Sequence, residues 1–310
     1  IKHFDWDKLP TKPFDIGIPH NFKKPVEEKP FDWNKLPSTP FNLDSIPKEN
    51  FTVKVRTLGA PKVVKAGSFT NMPNASRGVL GIDSNFGLPG TPNCLIKDKD
   101  GMLWIGAIKT VVRYDSNNLA IYGSDQGLNS GLVQTLFQDS KGRIWVTGLG
   151  KSISIIDFDA QQIYELNFNF DVSRIFDILE TIDGKFWISN NGVGYNIIDL
   201  KDRTIRQLTV KQGLLGTTCI SPYQDQIGRI WLSTNKGVNI IDLKSGKNYT
   251  LTQNTGLLSD FTTGFFEDSK GYMWIGNFKG ISILNNDQDT ISYFTQDQGL
   301  EENSTVTKLF

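Results

Sequence analysis

From residue 88 onward, apolar and polar positions alternate in short runs, and the runs return at a fixed interval. Alternation with a period of two puts successive side chains on opposite faces of an extended chain, so each run predicts a half-buried β-strand. Five tryptophans, Trp104, Trp145, Trp187, Trp231 and Trp274, set the interval, with spacings of 41, 42, 44 and 43 residues. Each stands in one frame: DKDGMLWIG, DSKGRIWVT, TIDGKFWIS, DQIGRIWLS and DSKGYMWIG. A glycine always precedes the tryptophan by three positions, and Asp98, Asp139, Asp225 and Asp268 precede theirs by six. This is the pattern of a tight turn feeding a strand, with glycine supplying a positive φ and aspartate bonding the turn backbone.

A second signal, QGL or TGL, recurs at Gln126–Leu128, Gln212–Leu214, Thr255–Leu257 and Gln298–Leu300, with Phe86–Leu88 one residue out of step. It is missing before Trp187, where FNFDVSRIFDI predicts a differently built entry loop. After each tryptophan comes a third strand ending at Asp115, Asp157, Asp199, Asp242 or Asn285, and then a fourth. Four short strands per ~43 residues without helical periodicity predict an all-β fold, a β-propeller of four-stranded blades. The blades span 88–127, 128–169, 170–212, 213–256 and 257–299, and 300–310 begins a sixth. Thr305–Phe310 matches only a first strand, so a larger propeller is expected, unless Phe51–Thr57 supplies what the last blade needs.

The first 50 residues differ in composition: eight of the thirteen prolines lie there, and only one of the 29 glycines. Proline fixes φ and removes a donor, which predicts an extended arm without its own core. Residues 51–87 read as a lead-in strand and loops. The arm repeats itself, FDWDKLPTKPFDIGIP from Phe4 and FDWNKLPSTPFNLDSIP from Phe31. Matched aromatics are costly to leave in water, so Phe4, Trp6, Phe31 and Trp33 are expected to dock on a folded surface.

Composition narrows the partners. Thirty-three basic residues balance thirty-three acidic ones, which gives no electrostatic footprint for nucleic acid or an anionic membrane. No apolar run reaches the length of a membrane span, so no membrane insertion is expected within the chain. Both histidines, His3 and His20, are in the arm, leaving the blades without the usual general base or commonest metal ligand. Cys94 and Cys219 occupy different strand positions and read as buried small hydrophobes. Gly150-Lys151-Ser152 imitates the end of a phosphate loop, but Trp145 stands where the loop needs glycine, so it is a blade turn. Catalysis, a cofactor and a bound metal are therefore not expected.

The frame discriminates among four-stranded repeats. The tryptophan is never followed by Asp, unlike a WD repeat, and the paired glycines of kelch repeats are absent. Sialidase-type boxes need Asp five before the tryptophan, where Lys99, Ser140, Ile182, Gln226 and Ser269 stand. The frame resembles the two-component regulator propeller repeat, GL, a strand, then D-x-x-G-x-I/L-W-I/V-G/S/T, over residues ~86 to 310. The Pro-rich preface is similar to leaders found before such propellers in exported proteins of Bacteroidetes-type bacteria.

That resemblance implies a non-catalytic sensor propeller, the extracytoplasmic, periplasmic or cell-envelope input part of a Gram-negative two-component receptor that binds an oligosaccharide or other polar ligand. It also implies that the GL loops and the loops joining second and third strands gather at one mouth. The candidate contacts there are Asn129, Ser130, Lys151, Asn190, Asn191, Asn235, Lys236, Asn277 and Lys279. These are ordinary turn residues as well. A different class of function, a secretion-associated or cell-envelope scaffold that docks a protein partner or second propeller, fits the duplicated aromatic arm. A propeller lyase or glycosidase lacks a catalytic base in the blades.

Overall fold

A computed structural model describes residues 26, 28–67, 87–128, 131–148, 152–172, 174–285 and 287–300. Among the described residues the only helical turns are three-residue 3-10 turns, and the regular structure is five antiparallel sheets of five strands. Each tryptophan frame builds one sheet, in the order the alternation predicts. The fifth strand of every sheet comes from the N-terminal segment, where the sequence pattern predicts four strands per blade, an extended arm without its own core and a lead-in strand.

The segment contributes β1 (Glu28–Pro30), β2 (Ser38–Pro40), β3 (Lys48–Asn50), β4 (Thr52–Thr57) and β5 (Lys62–Lys65). The first blade is β6 (Cys94–Lys97), β7 (Leu103–Ala107), β8 (Thr110–Tyr114) and β9 (Asn118–Tyr122). The second is β10 (Val133–Gln138), β11 (Ile144–Gly148), β12 (Ser152–Asp157) and β13 (Gln162–Asn167). The third is β14 (Ile178–Glu180), β15 (Phe186–Asn190), β16 (Gly194–Asp199) and β17 (Thr204–Leu208). The fourth is β18 (Pro222–Gln224), β19 (Ile230–Thr234), β20 (Gly237–Asp242) and β21 (Lys247–Leu251). The fifth is β22 (Thr262–Glu267), β23 (Tyr272–Asn277), β24 (Gly280–Asn285) and β25 (Thr290–Phe294).

The chain divides into two compact units, and the described part of the first is 51–67 with the first and second blades, to Ile175. Here β5 pairs with β9, and β4 pairs with β13 over six residues, Thr52↔Asn167 to Thr57↔Gln162. Phe51–Thr57 thus closes the outer edge of the second blade and supplies no strand to a sixth. Arg56 Nη2 anchors this pairing on the buried Glu165 at 2.5 Å. Core residues from both blades, among them Trp104, Val111, Val133, Ile144 and Ile156, pack with Leu58 of the N-terminal segment.

The second unit takes its described residues from the segment up to Asn50 and from Phe176 onward. Here β3 pairs with β17, β2 with β21 and β1 with β25, so the segment meets the blades in reverse chain order. It is a strap with a ten-residue step. Phe31 and Phe41 follow their strands, and each sends its N–H to a hairpin carbonyl, Asp289 at 2.7 Å and Gly246 at 2.8 Å. An Asx-capped 3-10 turn comes next, at Trp33–Lys35 and Leu43–Ser45, with Asp32 and Asn42 accepting from the amide two residues on at 2.9 Å. The apolar positions of the strap, Phe31, Leu36, Phe41 and Ile46, are buried among blade residues. Pro30 and Pro40 end their strands at a sheet edge, the place in a sheet where a missing donor costs least.

Inside the blades, the repeated aspartates do what the turn pattern predicts and one thing more. Asp98, Asp139, Asp225 and Asp268 accept from the backbone amide four residues on, at 2.7–3.0 Å. Their other oxygen accepts from the indole Nε1 of the same repeat's tryptophan at 2.8, 2.9, 2.9 and 3.0 Å. The six-residue spacing is therefore a side-chain hydrogen bond that orients a buried ring. In the third blade Thr181 replaces the aspartate and bonds Asp183 and the Lys185 carbonyl instead. The QGL signal is equally local. Gln126, Gln212 and Gln298 close 3-10 turns by accepting from the amide three residues earlier. The glycine that follows takes φ of 91°, 96° and 111°. The next residues, Leu128 and Leu214, are buried.

Candidate functional site

In each unit the loop joining the second and third strands of one blade bonds to the entry loop of the next. In the first unit Lys109 N donates to Gly131 O at 2.7 Å. In the second, Gly192 N donates to Thr217 O at 2.8 Å and Gly237 N to Asp260 O at 2.6 Å. These bonds put the two loop classes at one end of the blades. Ser189 and Ser233 at the strand ends fix the entry loops, accepting from Asp177 N at 2.9 Å and Ser221 N at 2.8 Å.

Asn190, Asn191, Asn235, Lys236, Asn277 and Lys279 all fall at this end of the second unit, but they are not equivalent. Asn277 is wholly buried: its Oδ1 accepts from Lys279 N at 3.1 Å, and its Nδ2 reaches Ile275 O and Ser282 Oγ at 3.4 Å. Asn190 is 3% exposed, with its carbonyl holding Val193 N. These two asparagines hold the hairpins from within, and their side chains are buried, unlike the exposed turn positions beside them. Both end the second strand of their blade. Asn191 and Asn235 are half-buried, Asn235 Oδ1 taking Thr218 N at 3.3 Å, whereas Lys236 and Lys279 are exposed. Asn129, Ser130 and Lys151 lie outside the described residues, as do Phe4 and Trp6 of the arm.

Aromatic residues that the turn-residue reading passes over complete this face. Phe278, 49% exposed, stacks on Phe261 with ring centroids 3.9 Å apart and planes 16° from parallel. Phe176 is 51% exposed on the entry loop of the third blade. The signal was in the register: Phe278 occupies the turn position held by Asn235 and by the exposed Ile108 in other blades. Lys236, Lys279 and Asn235 share this loop end with a flat apolar plate, and such groups can hydrogen-bond hydroxyls or carboxylates while an apolar ring face stacks.

The remaining arm and cysteine positions are structural. Phe31 packs edge-on against Trp33 at 5.5 Å, and Trp33 against Trp231 at 5.8 Å, with the Arg229 guanidinium 4.3 Å from the Trp33 ring. Burial pushes the Cys219 thiol up to about 12 and the Tyr195 phenol well above its usual value, so both stay neutral at physiological pH. Tyr195 donates to Ser233 O at 2.8 Å. Cys94 is only half-buried, a departure from the expected burial. Among the described residues no cluster of three His, Cys, Asp or Glu side chains is placed to hold a metal. Nor is any helix among them long and apolar enough to cross a membrane.

Five copies of a tryptophan-centred antiparallel blade define an all-β propeller repeat protein. Residues 127–150 and 256–279 match the two-component regulator propeller model. Among curated proteins no sequence matches. Solved structures share the fold. The extracellular domain of a putative hybrid two-component system from B. thetaiotaomicron has a TM-score of 0.55 at 16% identity, covering 77% of this chain and 34% of that one. Virginiamycin B lyase from Staphylococcus aureus has a TM-score of 0.53 at 15% identity, covering 78% and 74%. PorZ, a bacterial surface component of the type-IX secretion system of Porphyromonas gingivalis, has 0.52 at 15%, covering 69% and 34%. The chain spans about a third of the length of the two-component domains it is similar to.

Proposed function

We propose that this propeller is the non-catalytic, extracytoplasmic ligand-binding part of a bacterial two-component receptor and that its ligand is a glycan or similar polyhydroxylated molecule. One observation carries the reading: the Phe261–Phe278 plate lies at the loop end with Lys236, Lys279, Asn191 and Asn235, in a chain with two matches to the two-component regulator propeller model. Sugar rings present an apolar face bordered by hydroxyls, and a plate that shares its loop end with amines and amides matches both features. Binding would act by favouring one packing of the receptor over another, since only differential affinity shifts such an equilibrium.

Calorimetric titration against a panel of oligosaccharides tests this. A ligand that binds the wild type should lose at least tenfold in affinity to the Phe278→Ala, Lys279→Ala double variant. Unchanged affinity would place the site elsewhere, and chemical turnover of the ligand would overturn the non-catalytic reading, an outcome that the lyase fold likeness makes worth measuring. The likeness to PorZ supports a second reading, a cell-envelope scaffold in which Phe176 and Phe278 are protein contacts. Retention of a cell-envelope protein that depends on Phe176 and Phe278, with no glycan bound, would favour it.

A further inference from the structure

The strap fills the spaces between successive blades with unequal side chains. Between the fourth and fifth blades it inserts Phe31, Trp33 and Leu36; Trp33 lies against the stacked pair of Arg229 and Trp231, and a cavity of about 690 Å³ remains beside Phe31 and Leu36. Between the third and fourth it inserts Phe41, Leu43 and Ile46, and a cavity of about 210 Å³ remains beside Leu43. Between the second and first blades it reads Leu58-Gly59-Ala60-Pro61, with one large apolar side chain and no aromatic turn. A cavity of about 500 Å³ is left there, lined by Val63 of the strap, Trp104, Arg113 and Ala120 of the first blade, Arg143 and Phe158 of the second, and five aspartates that four basic side chains face.

This space repeats the chemistry of the filled one. The Arg113 guanidinium lies 5.6 Å from the Trp104 ring, the same distance as Arg229 from Trp231, and among the described residues no ring of the strap covers it. Arg113 Nε is buried without a hydrogen-bond partner, and the Asp98 carboxylate is 3.9 Å from Nη2. A buried donor left unpaired costs free energy that an incoming acceptor would recover. The chain carries a second plug. Phe4-Asp5-Trp6-Asp7-Lys8-Leu9-Pro10 differs from Phe31-Asp32-Trp33-Asn34-Lys35-Leu36-Pro37 only by Asp7 for Asn34, and that change adds a carboxylate.

We infer that the cavity between the first and second blades is a socket for this chain's own Phe4–Pro10 segment, with the Trp6 indole on Arg113 and Trp104 and an acidic oxygen of the segment accepting from Arg113 Nε. The link from Pro10 to Glu28 can extend up to about 60 Å. Occupancy would lock the two blades together, as Trp33 locks the fourth to the fifth.

Photocrosslinking in the full chain tests the assignment. With p-benzoylphenylalanine in place of Trp6, irradiation should link residue 6 to peptides containing Arg113 or Phe158 of the same chain, and filling the socket with Ala120→Trp should reduce that product at least fivefold. The same probe in place of Trp33 must link to the 229–231 peptide, which reports on folding in every sample. With that control intact, three outcomes would overturn the proposal: no product from position 6, products on other surfaces only, or products exclusively between chains in a mixture of isotopically light and heavy protein.

Discussion

Identical spacings carry unequal energies at the residue scale, because what surrounds each pair differs. Asp225 is almost wholly buried and takes three bonds, from Arg229 N at 2.7 Å, Arg229 Nε at 2.6 Å and Trp231 Nε1 at 2.9 Å. Asp268 makes the equivalent bond to a half-buried Trp274 with no arginine partner. Burial acts to raise the Asp268 pKa, but hydrogen bonds from Trp274, Tyr272 and Lys270 outweigh it and hold the carboxyl below its ordinary value. Asp225→Ala strands a mostly buried guanidinium and should cost about 3 kcal/mol in urea unfolding, against about 1 kcal/mol for Asp268→Ala. Equal costs would show that the arginine contributes nothing. Backbone strain gives a change of the opposite sign. Arg203 holds φ of 54° in an exposed hairpin turn, the position that Gly246 fills in the fourth blade. Arg203→Gly relieves the left-handed penalty and should stabilise by about 0.5–1 kcal/mol, read as a higher Tm.

Among the elements, the strap is what separates this molecule from a bare repeat array. An exposed outer strand offers unpaired backbone groups to any passing chain, and the strap covers all five. Its own outer edge stays unattractive because β1, β2 and β3 are three residues long, charged or proline-bearing: EKP, STP and KEN. Three backbone pairs cannot hold a segment alone, so the buried anchors must. Arg206 adds to them by pairing with Asp44 at 2.6 Å and donating to the Ile46 carbonyl. Phe41→Ala should cost about 3–4 kcal/mol. The loss should appear locally, as faster hydrogen exchange at Thr250 N, which bonds the Pro37 carbonyl at 2.9 Å. Unchanged protection there, with normal global stability, would mean that the anchor is dispensable.

For the molecule as a whole, the strap makes folding depend on distant partners. Glu28 pairs with Ser292 and Pro40 with Lys247, pairings that cross more than two hundred residues. Such contacts form late, after the locally encoded hairpins of each blade. The proposed glycan site has a global consequence too. A ligand that binds only the folded propeller at a hundred times its Kd should add about 2.7 kcal/mol of stability, visible as a concentration-dependent Tm. A ligand that binds with no such shift would be binding the unfolded chain equally well.

Much of this was legible in the residues themselves, because the relevant physics is local. The Asp–Gly–Trp frame, the QGL turn and the period of two each lie within a few residues of chain, so the sequence determined the four repeated strands of each sheet and their order. The absence of histidine from the blades was equally plain. Pairing of three-residue strands was not legible: EKP, STP and KEN have no preference for one edge over another until the blades stand and Phe31, Phe41 and Phe51 find their gaps. The loop face shows the same limit. Asn190 and Asn235 are both turn asparagines in the sequence, yet hairpin register buries the first and leaves the second within reach of solvent, and only packing between loops set Phe261 against Phe278. Local spacing decides turns and strands, whereas burial and edge pairing depend on what arrives from elsewhere in the chain.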